Sequence, residues 1–138
     1  MIDNLELGNV LVFDIETVSQ YPDFESLPAR MRDLWAAKHQ RIGQDGEEPD
    51  DSYERGGIYA EFGKVVCISA GIFHLRDGAW NLRTKSFYSE DEREVLEGFS
   101  KLLNENFSHP SKQLCGHNIR EFDVPYLCRR MIVNQLNL

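Results

Sequence analysis

One stretch near the N-terminus, VLVFDIETV at residues 10 to 18, constrains the fold more than any other. Val10, Leu11, Val12, Phe13, Ile15 and Val18 make it a near-continuous apolar run. A run of this length is what a strand covered on both faces looks like, so it predicts a central strand over residues 9 to 18. Such a strand should exclude charge, yet it carries Asp14 and Glu16 two positions apart. Side chains two apart on a strand share a face. Two carboxylates side by side in a dry place raise each other's pKa and lose hydration. The pair therefore requires a compensating cation, a hydrogen-bond network, or exposure at the strand's end, and a divalent metal ion is the most economical of these. The plainer account is that the strand stops near Asp14, and Glu16 and Thr17 begin a solvated loop.

The rest of the chain alternates between elements. Residues 19 to 63 are an excursion from the sheet. Pro28 opens an amphipathic helix marked by Leu27, Met31, Leu34, Trp35 and Lys38, and an acidic segment, QDGEEPDDSYERGG at 44 to 57, reads as solvated, mobile surface or as a lid. KVVCISAGIFHL at 64 to 75 and WNLRTKSFYS at 80 to 89 flank an Asp-Gly turn signal, which predicts an antiparallel hairpin. Ser89 with Glu92 has the spacing of a capping box, and Val95, Leu96, Phe99, Leu102, Leu103 and Phe107 mark one face of the helix that follows. QLCGHN supplies a short strand, and EFDVPYLCRRMIVNQ a last helix with Pro125 near its start.

Composition narrows the function classes. A chain of 138 residues is one domain by size. No apolar run reaches the roughly 18 residues of a membrane span, and the N-terminus lacks the basic and apolar parts of a secretory signal, so the expected compartment is the cytosol. Cys67, Cys115 and Cys128 share no metal-ligand or disulfide spacing and read as small core residues. The net charge of −8 argues against holding nucleic acid by general attraction to phosphates. It leaves open an enzyme that acts on nucleic acid through carboxylate-held metals, which partly reverse the local sign. His39, His74, His109 and His117 have no ligand spacing, and Arg129 and Arg130 on the last helix read as solvated surface, with a phosphate contact as the alternative.

A second isolated acid, Asp123, stands among Phe122, Val124, Tyr126 and Leu127, just after the strand QLCGHN. By itself it could cap the last helix. FDIET followed about a hundred residues later by GHNIREFDVPYL resembles the first two exonuclease motifs of the DEDD superfamily of 3′-to-5′ exonucleases, in particular the proofreading exonuclease domain of family B DNA polymerases. The motif residues here are Asp14 and Glu16, then Asn118, Phe122 and Asp123, with Pro-Tyr-Leu after Asp123 adding to the match. The resemblance covers residues 9 to 18 and 64 to 134, and not the insertion.

That resemblance implies an α/β, RNase H-like mixed sheet: three antiparallel strands, a fourth parallel to the first, flanking helices and a helical insertion after the first strand. It implies phosphodiester hydrolysis at the 3′ end of single-stranded nucleic acid with two Mg²⁺ or Mn²⁺ ions about 3.5 to 4 Å apart. Asp14 would bridge the ions, Glu16 would hold the one carrying the attacking water, and Asp123 the one at the leaving oxygen. Thr17 and Asn118 would touch the terminal nucleotide, and Phe122 its sugar or base. DNA is favoured over RNA, and a polymerase or another nucleic-acid-processing protein is the expected partner.

One part of the pattern is missing. The superfamily adds a fourth acid in a Tyr-x-x-x-Asp or His-x-x-x-x-Asp motif on a later helix, and VPYLCRRMIVNQLNL after Asp123 contains no acid. Two expectations follow: an N-terminal piece of a longer protein, which the apolar ending MIVNQLNL favours, or a catalytically weakened member. A domain of the same fold that binds nucleic acid or protein without cutting is the rival reading.

Overall fold

The apolar run forms β1 (Val10–Ser19), which continues through both carboxylates instead of stopping at them. The computed structural model describes residues 5 to 136, so expectations for the extreme N-terminus and for the last two residues lie outside the described residues. The chain divides into two units. One comprises residues up to Glu16 together with those from Val65 onward, and the other is Thr17–Lys64.

The first unit is a four-stranded mixed sheet with helices. β2 (Gly63–Arg76) and β3 (Ala79–Tyr88) form the expected antiparallel hairpin, in unbroken register from Cys67 opposite Tyr88 to Arg76 opposite Ala79. Asp77 and Gly78 close it with φ of 52° and 77°. Two positive φ values in a two-residue loop match the right-handed twist of the strands, which explains the Asp-Gly sequence. β4 (Gln113–Cys115) runs parallel to β1, pairing Val10 with Gln113 through Val12 with Cys115, and the strand order is β3-β2-β1-β4. β1 is thus interior, as the apolar run predicts.

The core lies on one side of this sheet. α3 (Glu92–Asn106) buries Val95, Leu96 and Phe99, and the Phe99 ring sits 5.2 Å from Phe13 and 6.0 Å from Phe87. On the other side Asp14, Glu16, Ser69, Leu82, Thr84 and Ser86 are exposed. Beyond Val12, then, β1 is covered on one face only, which corrects the expectation of a strand buried on both. The helix start differs as well. Asp91, not Ser89, caps α3 by accepting the Arg93 N–H at 2.9 Å, while Ser89 accepts from the Asp91 N–H.

Glu92 is freed for another role, because it is buried and joins three elements. Its carboxylate accepts the Val65 N–H at 2.7 Å, the Arg130 guanidinium at 2.8 and 2.6 Å, and the Asn134 amide at 2.8 Å. Arg130 and Asn134 belong to α4 (Asp123–Val133) and its C-cap. Arg130 is 3% exposed, so the reading of this residue as solvated surface is wrong; only Arg129 is exposed. Nor are the cysteines core residues, since Cys115 is exposed and Cys67 and Cys128 are half-buried.

The second unit contains α1 (Ala29–Ile42), α2 (Pro49–Tyr53) and its own aromatic core. Trp35, at 0% exposure, meets Tyr53, Tyr59 and Phe62 edge-on with centroids at 5.1, 5.7 and 4.9 Å. The acidic segment is not all solvated surface: α2 lies within it and buries Ser52 and Tyr53. The Trp35 indole N–H holds it, donating to the Pro49 carbonyl at 2.9 Å and the Ser52 hydroxyl at 3.1 Å. Arg55 adds a fork onto Glu47 at 2.6 and 2.9 Å, which lowers the Glu47 carboxyl to about 2. Trp35→Phe keeps a ring but removes the donor and leaves a void. A loss of about 1–3 kcal/mol is expected, read as faster amide hydrogen exchange over residues 49 to 62 with residues 92 to 106 unchanged.

Candidate active site

Asp14 and Glu16 project from the exposed face of β1, between Phe13 and Ile15, which point into the core. Neither carboxylate has a hydrogen bond or ion pair among the described residues. Their exposure removes the energetic reason for a compensating cation that burial would have supplied. What remains is an acid pair on a regular strand with no structural partner.

Asp123 is the buried acid, at 2% exposure. β1 pairs with β4 only as far as Val12, so the next amides on that edge lose their ladder partners. The Asp123 carboxylate takes over from the strand and accepts the Ile15 N–H at 3.2 Å. This bond explains an Asp at the position better than a helix cap does. Asp123 is the first residue of α4, the cap position is Phe122, and no side chain caps that end.

The link between β4 and α4 brings Asp123 there. Gly116 passes so close to the Phe13 carbonyl and the Ile119 side chain that no Cβ would fit. Asn118 then turns the chain with φ of 54°, a left-handed conformation that Asn tolerates well, and its carbonyl accepts the Glu121 and Phe122 N–H groups at 3.1 and 3.0 Å. A structural reason for Asn118 therefore exists, and its exposed side chain is available besides. Phe122 is half-buried, its ring 5.4 Å from that of Tyr126. Thr17 is half-buried and follows Glu16 on β1.

Burial pushes the Asp123 carboxyl above the usual aspartate range, the nearby negative charge of Asp14 pushes it further, and its backbone hydrogen bonds and His117 oppose that. Asp14 and Asp123, 109 residues apart in sequence, are thus close enough to feel each other. His117, which its spacing gave no reason to single out, is part of the same neighbourhood. A residue of this kind is found only from the fold.

Among the described residues, no three His, Cys, Asp or Glu side chains form a group that could hold a metal ion. The donor set still suits a hard cation. Mg²⁺ retains several waters and commonly takes one or two carboxylates plus substrate phosphates, so an exposed acid pair on the strand to which a third, buried carboxyl is bonded fits the ion without a closed cage. No helix of the described residues is long and apolar enough to cross a membrane. No protein-family model matches this chain, and no curated protein matches it either.

Proposed function

We propose that the chain is a metal-dependent 3′-to-5′ exonuclease domain of RNase H-like type, acting on single-stranded nucleic acid with DNA favoured over RNA. The observation that carries this reading is the hydrogen bond of the Asp123 carboxylate to the Ile15 N–H, which ties the start of α4 to β1 between Asp14 and Glu16. The sheet order and the parallel pairing of β1 with β4 support the fold assignment. Asp14, Glu16 and Asp123 would hold Mg²⁺ or Mn²⁺, which when bound supplies a water nucleophile and charge stabilisation at the leaving oxygen. The chain's own part is to fix the spacing of the carboxylates on a strand and a helix start, and to present Thr17, Asn118 and Phe122 for the terminal nucleotide. A polymerase or other nucleic-acid-processing protein is the proposed partner.

The test is hydrolysis of a 5′-labelled single-stranded oligonucleotide with Mn²⁺. Stepwise shortening from the 3′ end is expected for the wild type and none for Asp14→Ala. Equal cleavage by both proteins would refute the assignment.

A second reading is an RNase H-like domain that binds nucleic acid or protein without cutting, and it accords with the lack of a three-carboxylate group among the described residues. It predicts that millimolar Mn²⁺ leaves the melting temperature unchanged, whereas a native-state ligand raises it.

A further inference from the structure

The β2–β3 hairpin is not used by the candidate active site, and its outer strand is open to solvent. β3 is the edge strand of the sheet, and every residue from Ala79 to Ser86 is exposed. On the face away from α3, Leu75, Trp80 and Leu82 stand 60, 51 and 52% exposed. On the other face Arg83 and Lys85 form no ion pair among the described residues, and Lys85 lies 4.7 Å from the centre of the Phe87 ring. Between them and α3 opens a cleft of about 320 Å³ floored by Leu11, Ala70, Ile72 and Leu102.

Charge sets this element apart. From Val65 to Tyr88 the chain carries Arg76, Arg83 and Lys85 against the single acid Asp77, a net of +2 in a protein of net −8. A second copy of the chain is a poor occupant, because an antiparallel pairing of two β3 strands centred near Thr84 would set Arg83 of one against Lys85 of the other. An anionic partner is the complementary one. Cations along an edge beside an apolar recess are elements from which proteins build single-strand binding surfaces: phosphates meet the cations, and a base leaves water for the recess.

We propose that the hairpin holds single-stranded nucleic acid on its α3 side, with phosphates at Arg83 and Lys85 and one base in the recess beside α3. The proposal rests on the exonuclease reading for its choice of partner, but it needs neither the carboxylates nor metal. The hairpin is a holding surface for the strand, separate from the residues that would cleave it.

The experiment is fluorescence anisotropy of a 5′-labelled 15-nucleotide oligo-dT with the full chain in EDTA at 50 mM salt. Expected are saturable binding, a loss of about tenfold or more in Arg83→Glu/Lys85→Glu, and wild-type affinity in Trp80→Ala, which changes the opposite face of the hairpin. Raising salt from 50 to 200 mM should weaken wild-type binding by about sevenfold, as two phosphate contacts require. All three side chains are exposed, so the variants should keep the wild-type melting temperature. No binding in EDTA, or equal binding by wild type and Arg83→Glu/Lys85→Glu, overturns the proposal. So does a change of oligomeric state in that double variant by light scattering without a change in oligonucleotide affinity, which would make this face a contact between protein chains. Binding in EDTA without any hydrolysis in Mn²⁺ would remove the exonuclease reading and leave this one standing.

Discussion

Arg130→Met should cost about 3–5 kcal/mol, a large share of the roughly 5–15 kcal/mol that holds an ordinary domain together. The reason is what the substitution leaves behind. Glu92 would remain buried with the Val65 N–H and the Asn134 amide but without its guanidinium. Replacing both charges together should cost much less: Glu92→Gln/Arg130→Met retains an acceptor for the Val65 N–H and buries no ion. The pH dependence separates this account from simple loss of packing. In the wild type, burial drives the Glu92 carboxyl upward, but Arg130, the Val65 N–H and Asn134 outweigh it and hold the carboxyl below the ordinary glutamate value. A depressed folded pKa contributes stability that is complete above the unfolded value near 4.5 and is lost as pH falls through the folded value. Without Arg130 the largest of the groups holding the carboxyl down is gone, and this acid-linked loss of stability shrinks. The gap between wild type and Arg130→Met in urea denaturation should therefore narrow steadily below pH 4.5, while a packing defect would leave it constant.

How much of this was legible in the sequence depended on how far apart the partners lie. The hairpin could be read because its signal is local: alternation on either side of Asp77-Gly78, with both turn residues in the conformation their chemistry favours. α3 was legible for the same reason, since Val95, Leu96 and Phe99 repeat at helical spacing. Arg130 was not, because its burial is decided by Glu92, 38 residues earlier, and nothing around Arg130 announces that partner. Ser52 and Tyr53 were hidden in an acidic segment whose composition says surface, although Trp35 draws that part of it inward. The exposure of Asp14 and Glu16 was missed because an apolar run states how much of a strand is greasy, and not whether a second layer covers it. Among the candidate site residues, Asp123 could be tied to Asp14 only through the resemblance. Helix caps and strand-edge acceptors both call for an Asp, and local sequence does not distinguish them.

Asp123→Asn should abolish metal-dependent cleavage, by on the order of 10²–10³-fold, and yet make the metal-free protein more stable. The amide oxygen of Asn can still accept the Ile15 N–H, so the tie between α4 and β1 survives. What disappears is a negative charge that burial and Asp14 both disfavour. The sign follows from the direction of the shift: a carboxyl whose folded pKa is raised contributes stability that is complete below the unfolded value near 3.8 and is lost as pH rises through the folded value. Above that range the ionised Asp123 is a cost that Asn avoids. In EDTA, Asp123→Asn should exceed the wild type by about 0.5–1 kcal/mol at pH 7, and the two should converge below pH 4. Adding Mn²⁺ should invert the order, since the ion stabilises only the protein that binds it. An acid serving merely to finish the edge of β1 would show the metal-free gain and its pH dependence, but neither the loss of cleavage nor the inversion by Mn²⁺. Its replacement by Asn would leave thermal stability indifferent to Mn²⁺, and that result would remove Asp123 from the site.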